Sequence, residues 1–197
     1  MYYKNKPITL KRLLRKISSI FSLFVIKYRT YQYRIKFFIT GVDITLGKNV
    51  SIGRKVTVMT PDDGKIILGD NVTISDFVIL FAENARLQID DYSGVGIGSH
   101  IVAMKSVTIG KFCLIAAYCV IRDMNHGMMN SIPMALQKQN MGSIFIGNDV
   151  WLGAHVVVTA GSKIGDGTVI GANAVVTSAI PENVVAAGVP AKPIRKR

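Results

Sequence analysis

The sequence predicts an all-β chain, a parallel β-helix built from hexapeptide repeats, preceded by a basic amphipathic helix and interrupted by one long loop. The repeat is the first observation. Apolar residues fall on every sixth position at Ile146, Leu152, Val158, Ile164, Ile170 and Val176, and glycine follows four of them, at Gly147, Gly153, Gly165 and Gly171. At about 100° per residue a helix would scatter these side chains around its axis. In extended chain six is a multiple of two, so all of them point to one side. Glycine beside each apolar residue reads as short strands broken by regular corners. The second observation is charge: residues 1–40 hold ten Lys or Arg and no Asp or Glu, which accounts for +10 of the net +12. The third is a gap in the repeat, since residues 127–143 carry no hexad.

Residues 1–41 form the first segment, a basic amphipathic helix and a linker. Leu10, Leu13, Leu14, Ile17, Ile20, Phe21 and Phe24 recur at helical spacing and fall within about 120° of arc. Lys11, Arg12, Arg15 and Lys16 lie outside that arc, and Thr9 stands where an N-cap is expected. A helix over 9–28 is expected, with residues 29–40 linking it to the first coil. Three uses of its apolar stripe stand open. It packs on the β-helix or a neighbouring subunit, or it lies on a membrane surface held by apolar burial and anionic lipid. A nucleic-acid role is the weakest, because no reader motif accompanies the charge. The apolar run Ile17–Ile26 is too short for a bilayer span, which needs roughly 20 residues. No small-residue cleavage site follows it, which argues against a signal peptide.

The β-helix is expected over 42–180. Leu46-Gly47, Ile52-Gly53 and Val58 set the phase, and Pro61-Asp62-Asp63-Gly64 inserts a turn. Leu68-Gly69, Ile74 and Leu80 resume it, residues 81–86 slip, and Ile89, Val95, Ile101, Ile109, Ile115 and Ile121 return to register. The loop 127–143 then leaves the stack, and loops of that length inside a solenoid are usually functional. Residues 181–197 break the repeat at Pro181 and form a cap and basic tail, as expected of a stack whose end would otherwise expose unpaired strand edges.

The 197 residues suffice for one domain with a real core, and an apolar fraction of 49% excludes a disordered chain. Two cysteines, Cys113 and Cys119, are too few for a secreted disulfide scaffold. Six apart, they take the same place in consecutive hexads and read as reduced core thiols in a cytoplasmic protein.

A solenoid by itself says little about function. The informative segment is Asp123-Met124-Asn125-His126-Gly127, which follows a closed hexad and precedes the long loop. A histidine there sits at a corner, either as a structural residue or as a working one. Asp123 either orients its ring or forms a turn. His100 and His155 fall at mid-hexad and read as surface residues. No Cys, His and carboxylate spacing suggests a metal site, and no phosphate-cradling glycine loop is present.

Ile146-Gly147-Asn148-Asp149-Val150-Trp151-Leu152-Gly153 and Val184-Val185-Ala186-Ala187-Gly188-Val189-Pro190-Ala191-Lys192 closely resemble the hexapeptide-repeat acyltransferases. The resemblance covers roughly residues 42–196. Within that family it is nearest the O-acetyltransferases of maltose, galactoside, nodulation factors and surface polysaccharides. It implies a left-handed β-helix of triangular cross-section and a homotrimer with active sites between subunits. Acetyl-coenzyme A lies along the groove, with the long loop closing over it.

The family's catalytic histidine falls on His126. A sugar hydroxyl is a poor nucleophile near neutral pH, and an imidazole within hydrogen-bond reach can take its proton, typically worth about 10²–10⁴-fold. Backbone N–H groups near the corner would stabilise the oxyanion. Transfer in such enzymes is direct, with neither cysteine acting as nucleophile. By position, Asp123, Asn125 and Trp151 fall on the acceptor side, with Trp151 as a wall of the acyl pocket or as packing. Ala154 and Ala172 match small positions along the pantetheine arm, and Thr177 and Ser178 lie near the adenine end. Lys192 and Arg195 either face the coenzyme phosphates or form a solvated basic tail.

One departure stands out. Related sugar acetyltransferases often place an asparagine some way before the histidine, and counting back along the hexads lands near Gly96. The nearest polar residues are Ser93, Ser99 and His100. A simple transfer of the maltose or galactoside substrate is therefore not supported. The reading that follows is an acetyl-coenzyme A-dependent O-acetyltransferase of an O-antigen, capsule or exopolysaccharide precursor. It works in the cytoplasm, at the inner face of the membrane if residues 9–28 touch lipid. The close rival is an N-acetyltransferase of an amino-sugar nucleotide. A non-catalytic β-helix scaffold or binding subunit is the rival of another class, and a streptogramin-type xenobiotic acetyltransferase carries less weight.

Overall fold

In the computed structural model, which describes residues 10–197, the hexads wind a left-handed parallel β-helix. Three faces of seven, eight and six strands run its length. The chain visits them in fixed order, so Ile146, Leu152 and Val158 open one coil while Ile164, Ile170 and Val176 lie directly over them in the next. Every hexad apolar residue points inward, and the stacked ladders of Ile, Leu and Val form one continuous core. Leu46 and Val58, at the open N-terminal end, are the ladder members left partly exposed.

Glycine after the ladder residue has a physical cause. A Cβ on Gly153 would lie 2.6 Å from the backbone nitrogen of Ala172 in the next coil, closer than any side chain tolerates. Carboxylates and amides then zip the corners together. Asp70 accepts the backbone N–H of Lys48, Asn148 that of Lys111, and Asp166 that of Asn148, at 2.7, 2.9 and 2.8 Å.

The N-terminal helix differs from expectation in extent. It runs without a break from Leu10 to Thr40, through the residues expected to be a linker. No glycine or proline interrupts it until Gly41, whose positive φ of 69° lets the chain turn out. The N–H of Val42 closes back on the carbonyl of Phe37 at 3.1 Å, the bond expected after a left-handed glycine. Thr9, the expected N-cap, lies outside the described residues. The C-terminal half of the helix covers the open edge of the first coil. Arg29 Nε donates to the Ile52 carbonyl at 2.9 Å, and the hydroxyls of Thr30 and Tyr33 accept the N–H groups of Ile52 and Val56. Phe37 is buried in the core. A strand edge that would otherwise invite pairing is thereby closed by side chains.

At the other end Lys192–Lys196 turns back antiparallel on Val184–Ala187 and completes the second face. Cys113 and Cys119 are free, buried, and directed at the carbonyls of Gly147 and Gly153. No described helix is long and apolar enough to cross a membrane.

Candidate active site

The long loop leaves at the corner between the third and first faces. Arg122 ends a third-face strand, and the Asp123 side chain turns inward with no exposed surface. Its carboxylate accepts three successive backbone N–H groups, from Met104, Lys105 and Ser106, at 2.7, 2.8 and 2.7 Å. Those amides form the corner of the preceding coil, so Asp123 rivets the loop root to the solenoid. These bonds match neither role open for it in the sequence, since they reach the preceding coil and not the His126 ring or a turn of its own. Among the described residues the His126 ring has no hydrogen-bond partner, Asp123 included.

Met124–Asn125 then pairs antiparallel with Asn140–Met141, a short ribbon that raises His126 off the corner. Met124 is buried, whereas Asn125 and His126 are exposed. Gln137 holds the loop together: its amide donates to the carbonyls of Met129 and Ile132 at 2.8 and 2.6 Å and accepts the N–H of Met129 at 2.8 Å. Sequence reasoning missed Gln137, because an amide whose partners all lie inside one loop leaves no spacing signal. The loop presents Met128, Met129, Met134 and Leu136 to the outside. Flexible thioethers suit a surface that must adapt to a ligand or a neighbouring chain.

The remaining site residues divide between two edges of the third face. Thr177 and Ser178 lie exposed on the same corner as the loop root, after the strand Val175–Val176. Ala154 and Ala172 stack on the opposite corner, where the N–H of Asn173 donates to the carbonyl of Ala154 at 2.9 Å. Lys192 pairs with Ala187 and stands at the top of that small-residue track. Trp151 lies on the second face, half exposed, between Leu114 and Val169. Val169 pairs with Val185, and Val185 with Arg195, so Trp151 and Arg195 share one outward column. Within one chain, then, His126 and the alanine track lie on opposite edges of the third face. From Ala172 to Thr177 the chain crosses the third face, at most about 17 Å of extended backbone.

Beside Trp151 a depression of about 290 Å³ is lined by Phe112, Leu114, Asp149, Val150, Trp151, Val169 and Arg197. Arg197 was not singled out from sequence. Its guanidinium pairs with Asp149 at 2.8 Å and donates to the Gly167 carbonyl at 3.0 Å, which ties the tail to the body. Lys192 and Arg195 stay exposed and make no ion pair among the described residues.

Two polar residues near Gly96 prove structural. Ser93 and Ser99 are buried; each hydroxyl donates to a carbonyl, of Gly110 and Ala116, and accepts the N–H of Cys113 or Cys119. His100 points outward on the third face, in the column of Val120 and Val157. His155, also exposed, stacks on Tyr118 with ring centroids 5.3 Å apart. Both cysteines are fully buried. Burial pushes the Cys113 thiol up to about 11, and burial raises Cys119 as well. No group of described residues is arranged to hold a metal ion.

The family model described as bacterial transferase hexapeptide (six repeats) matches residues 143–178. Over 152 residues the chain is 41% identical to WbbJ of Escherichia coli K12, whose name describes a lipopolysaccharide biosynthesis O-acetyl transferase; the match covers 68% of this chain and 74% of that protein. It is 31% identical to the dTDP-4-amino-4,6-dideoxy-D-glucose acyltransferase of Escherichia coli, over 78% of this chain and 82% of that one. Among solved structures, AntD of Bacillus cereus, an N-acyltransferase in complex with dTDP and 3-hydroxybutyryl-CoA, matches with a TM-score of 0.71 at 25% identity. That match covers 84% of this chain and 88% of the other.

Proposed function

Because this chain belongs to the bacterial hexapeptide-repeat transferases, we propose that it moves an acetyl group from acetyl-coenzyme A to a sugar hydroxyl of a surface-glycan precursor in the cytoplasm. The observation that carries the proposal is the placement of His126. An exposed imidazole, without a partner among the described residues, stands on a ribbon whose root is riveted by Asp123.

The chemistry asks for few groups. Coenzyme A supplies the acetyl thioester. The acceptor hydroxyl attacks the thioester carbonyl carbon while its proton passes to the free ring nitrogen of His126. The C–S bond breaks, and the same proton goes to the departing sulfur, so the imidazole ends as it began. Ala154 and Ala172 leave room for the pantetheine arm, and Lys192 and Arg195 face its phosphates. Trp151 walls the acyl end, and Thr177 and Ser178 lie toward the adenine. Asn125, exposed one residue before His126, serves the acceptor side.

The two edges of the third face meet only when chains assemble. A homotrimer places His126 of one subunit against the alanine track of its neighbour. The outward side chains of this face support such packing, since Ile79, Phe81, Val102, Val120, Val157 and Val175 all point out.

A second reading has its own support. The likeness to AntD and to the dTDP-amino-sugar acyltransferase favours an amine acceptor on a sugar nucleotide, which the same histidine could deprotonate. One experiment addresses both. Free-thiol release from acetyl-coenzyme A is followed with a panel of glycans and sugar nucleotides, for wild type and His126→Ala. Acceptor-dependent release that falls by about 10² or more in the variant is expected. An alkali-labile ester product supports the hydroxyl acceptor, and a stable amide supports the amine. Release that survives the substitution removes His126 from the mechanism.

A further inference from the structure

The helix Leu10–Thr40 has two faces of opposite character, and the structure fixes which way each points. Arg29, Thr30, Tyr33 and Phe37 turn toward the first coil and close its edge. The side opposite carries Leu14, Ile17, Phe21, Phe24, Tyr28, Tyr31, Ile35, Phe38 and Ile39, every one exposed. At about 100° per residue these nine fall within roughly 120° of arc, centred on the direction away from the coils. Exposure is high where it matters: 67% for Phe21 and Phe24, 89% for Phe38 and 74% for Ile39. The stripe therefore does not pack on the β-helix of its own chain, and it runs well past the end expected from sequence. Over 31 residues the helix measures about 46 Å.

Cations line both margins. Lys27 and Arg34 flank one side of the stripe. Arg29 and Lys36 flank the other, where Arg54 and Lys55 of the first coil join them around a basic hollow of about 330 Å³. Arg54 is partly neutralised by Asp76 at 2.7 Å, whereas Lys36 and Lys55 have no carboxylate partner among the described residues.

We propose that this helix is a membrane-surface anchor, its outward stripe seated among the headgroups of an anionic lipid bilayer with the solenoid standing behind it. The composition selects this occupant over a second copy of the chain. Residues 1–40 hold ten cations and no acid, so two such helices brought stripe to stripe would meet with like charge along their margins. An anionic bilayer offers apolar depth for the stripe and negative charge for its margins together. Direction agrees as well: the stripe faces out from the end of the solenoid, so in a side-by-side trimer three stripes would face one plane.

The test is flotation of the purified full-length chain with vesicles of phosphatidylcholine alone and of phosphatidylcholine with phosphatidylglycerol. Wild type should rise with the anionic vesicles and much less with the neutral ones. Neutralising Lys27 and Lys36 together (Lys27→Gln, Lys36→Gln) should weaken binding roughly fivefold for each cation. Replacing Phe21 and Phe38 by Glu should weaken it tenfold or more, while coenzyme thiol release with a soluble acceptor persists and shows the chain folded. Wild type that stays unbound, or a stripe variant that floats like wild type, overturns the proposal. So does a stripe variant whose mass in solution drops, because the stripe would then cover a second copy. Normal flotation of a chain that releases no thiol with any acceptor counts against the transferase reading and leaves the anchor standing.

Discussion

Asp123 and His126 stand three residues apart at opposite ends of the loop root, the first wholly buried and the second open to solvent. The carboxylate does not touch the imidazole. It takes three backbone N–H groups of the preceding coil instead, and so fixes where the ribbon bearing His126 starts. Asp123→Asn sets an amide NH₂ against one of those N–H groups, a donor facing a donor. Loss of about 2–4 kcal/mol in stability is expected, with a fall in kcat of tenfold or more as the ribbon loosens. The acid limb of the kcat/KM profile should stay in place, because the carboxylate acts on position and not on the ring. A shifted acid limb would instead mean direct contact between the two side chains during turnover.

The alanine track gives a prediction about the coenzyme alone. Ala154 is half-buried and Ala172 exposed, both on the corner between the second and third faces. Ala172→Trp should leave the melting temperature nearly unchanged, as surface substitutions usually do. It should raise the KM for acetyl-coenzyme A tenfold or more, with the KM for the acceptor little affected. Initial rates with each substrate varied in turn check this. Equal effects on both substrates would place the track on the acceptor path.

How much of this was legible in the sequence follows from the range of each interaction. The ladder could be read because Ile146, Leu152, Val158 and their successors obey a local rule, a large apolar residue turned inward at every sixth position, wherever the hexads run unbroken. His126 could be found because it interrupts that rule beside a loop. Three features were not legible. The sequence predicts a helix that ends near residue 28, because the stripe from Leu10 to Phe24 is the clear part of its pattern. Tyr28, Tyr31, Ile35 and Phe38 continue it, but they alternate with Arg29, Tyr33 and Phe37, which face the coil, and sequence alone does not show which apolar face is docked. Asp123 and Gln137 act through backbone groups, and any residue type offers those. Arg197 closes on Asp149 across 48 positions, a pairing that no local spacing announces.

The buried thiols set a pH dependence. In the folded chain Cys113 stays protonated to about 11, and burial raises Cys119 too. In the unfolded chain both ionise near the ordinary thiol value of about 8.5. Above that value the unfolded state binds fewer protons than the folded one. The stabilising contribution is therefore complete below about pH 8.5 and declines as pH rises toward 11. Denaturant melts at pH 8 and pH 10 should show the loss, and it should be smaller in Cys113→Ala. A thiol-reactive dye at pH 8 should find neither cysteine in the native protein and both after unfolding. Rapid native labelling would contradict the burial that both predictions rest on.

Assembly can be tested through the site itself. His126 and Ala172 stand on opposite edges of the third face, so under the proposed function a complete site draws one edge from each of two neighbouring chains. His126→Ala lacks the base but keeps the track, and Ala172→Trp blocks the track but keeps the base. Each homotrimer should be inactive or nearly so. Co-refolded or co-expressed together, the two form mixed trimers in which an intact His126 edge meets an intact Ala172 edge, and thiol release should return. If instead both edges of one chain served one site, every site would carry one lesion and mixing would restore nothing. Val157→Asp in the middle of that face supplies the control. A buried charge without a partner should break the assembly, dropping the mass to the single-chain value of 21.5 kDa, and with it the activity, although His126 and the alanines are untouched.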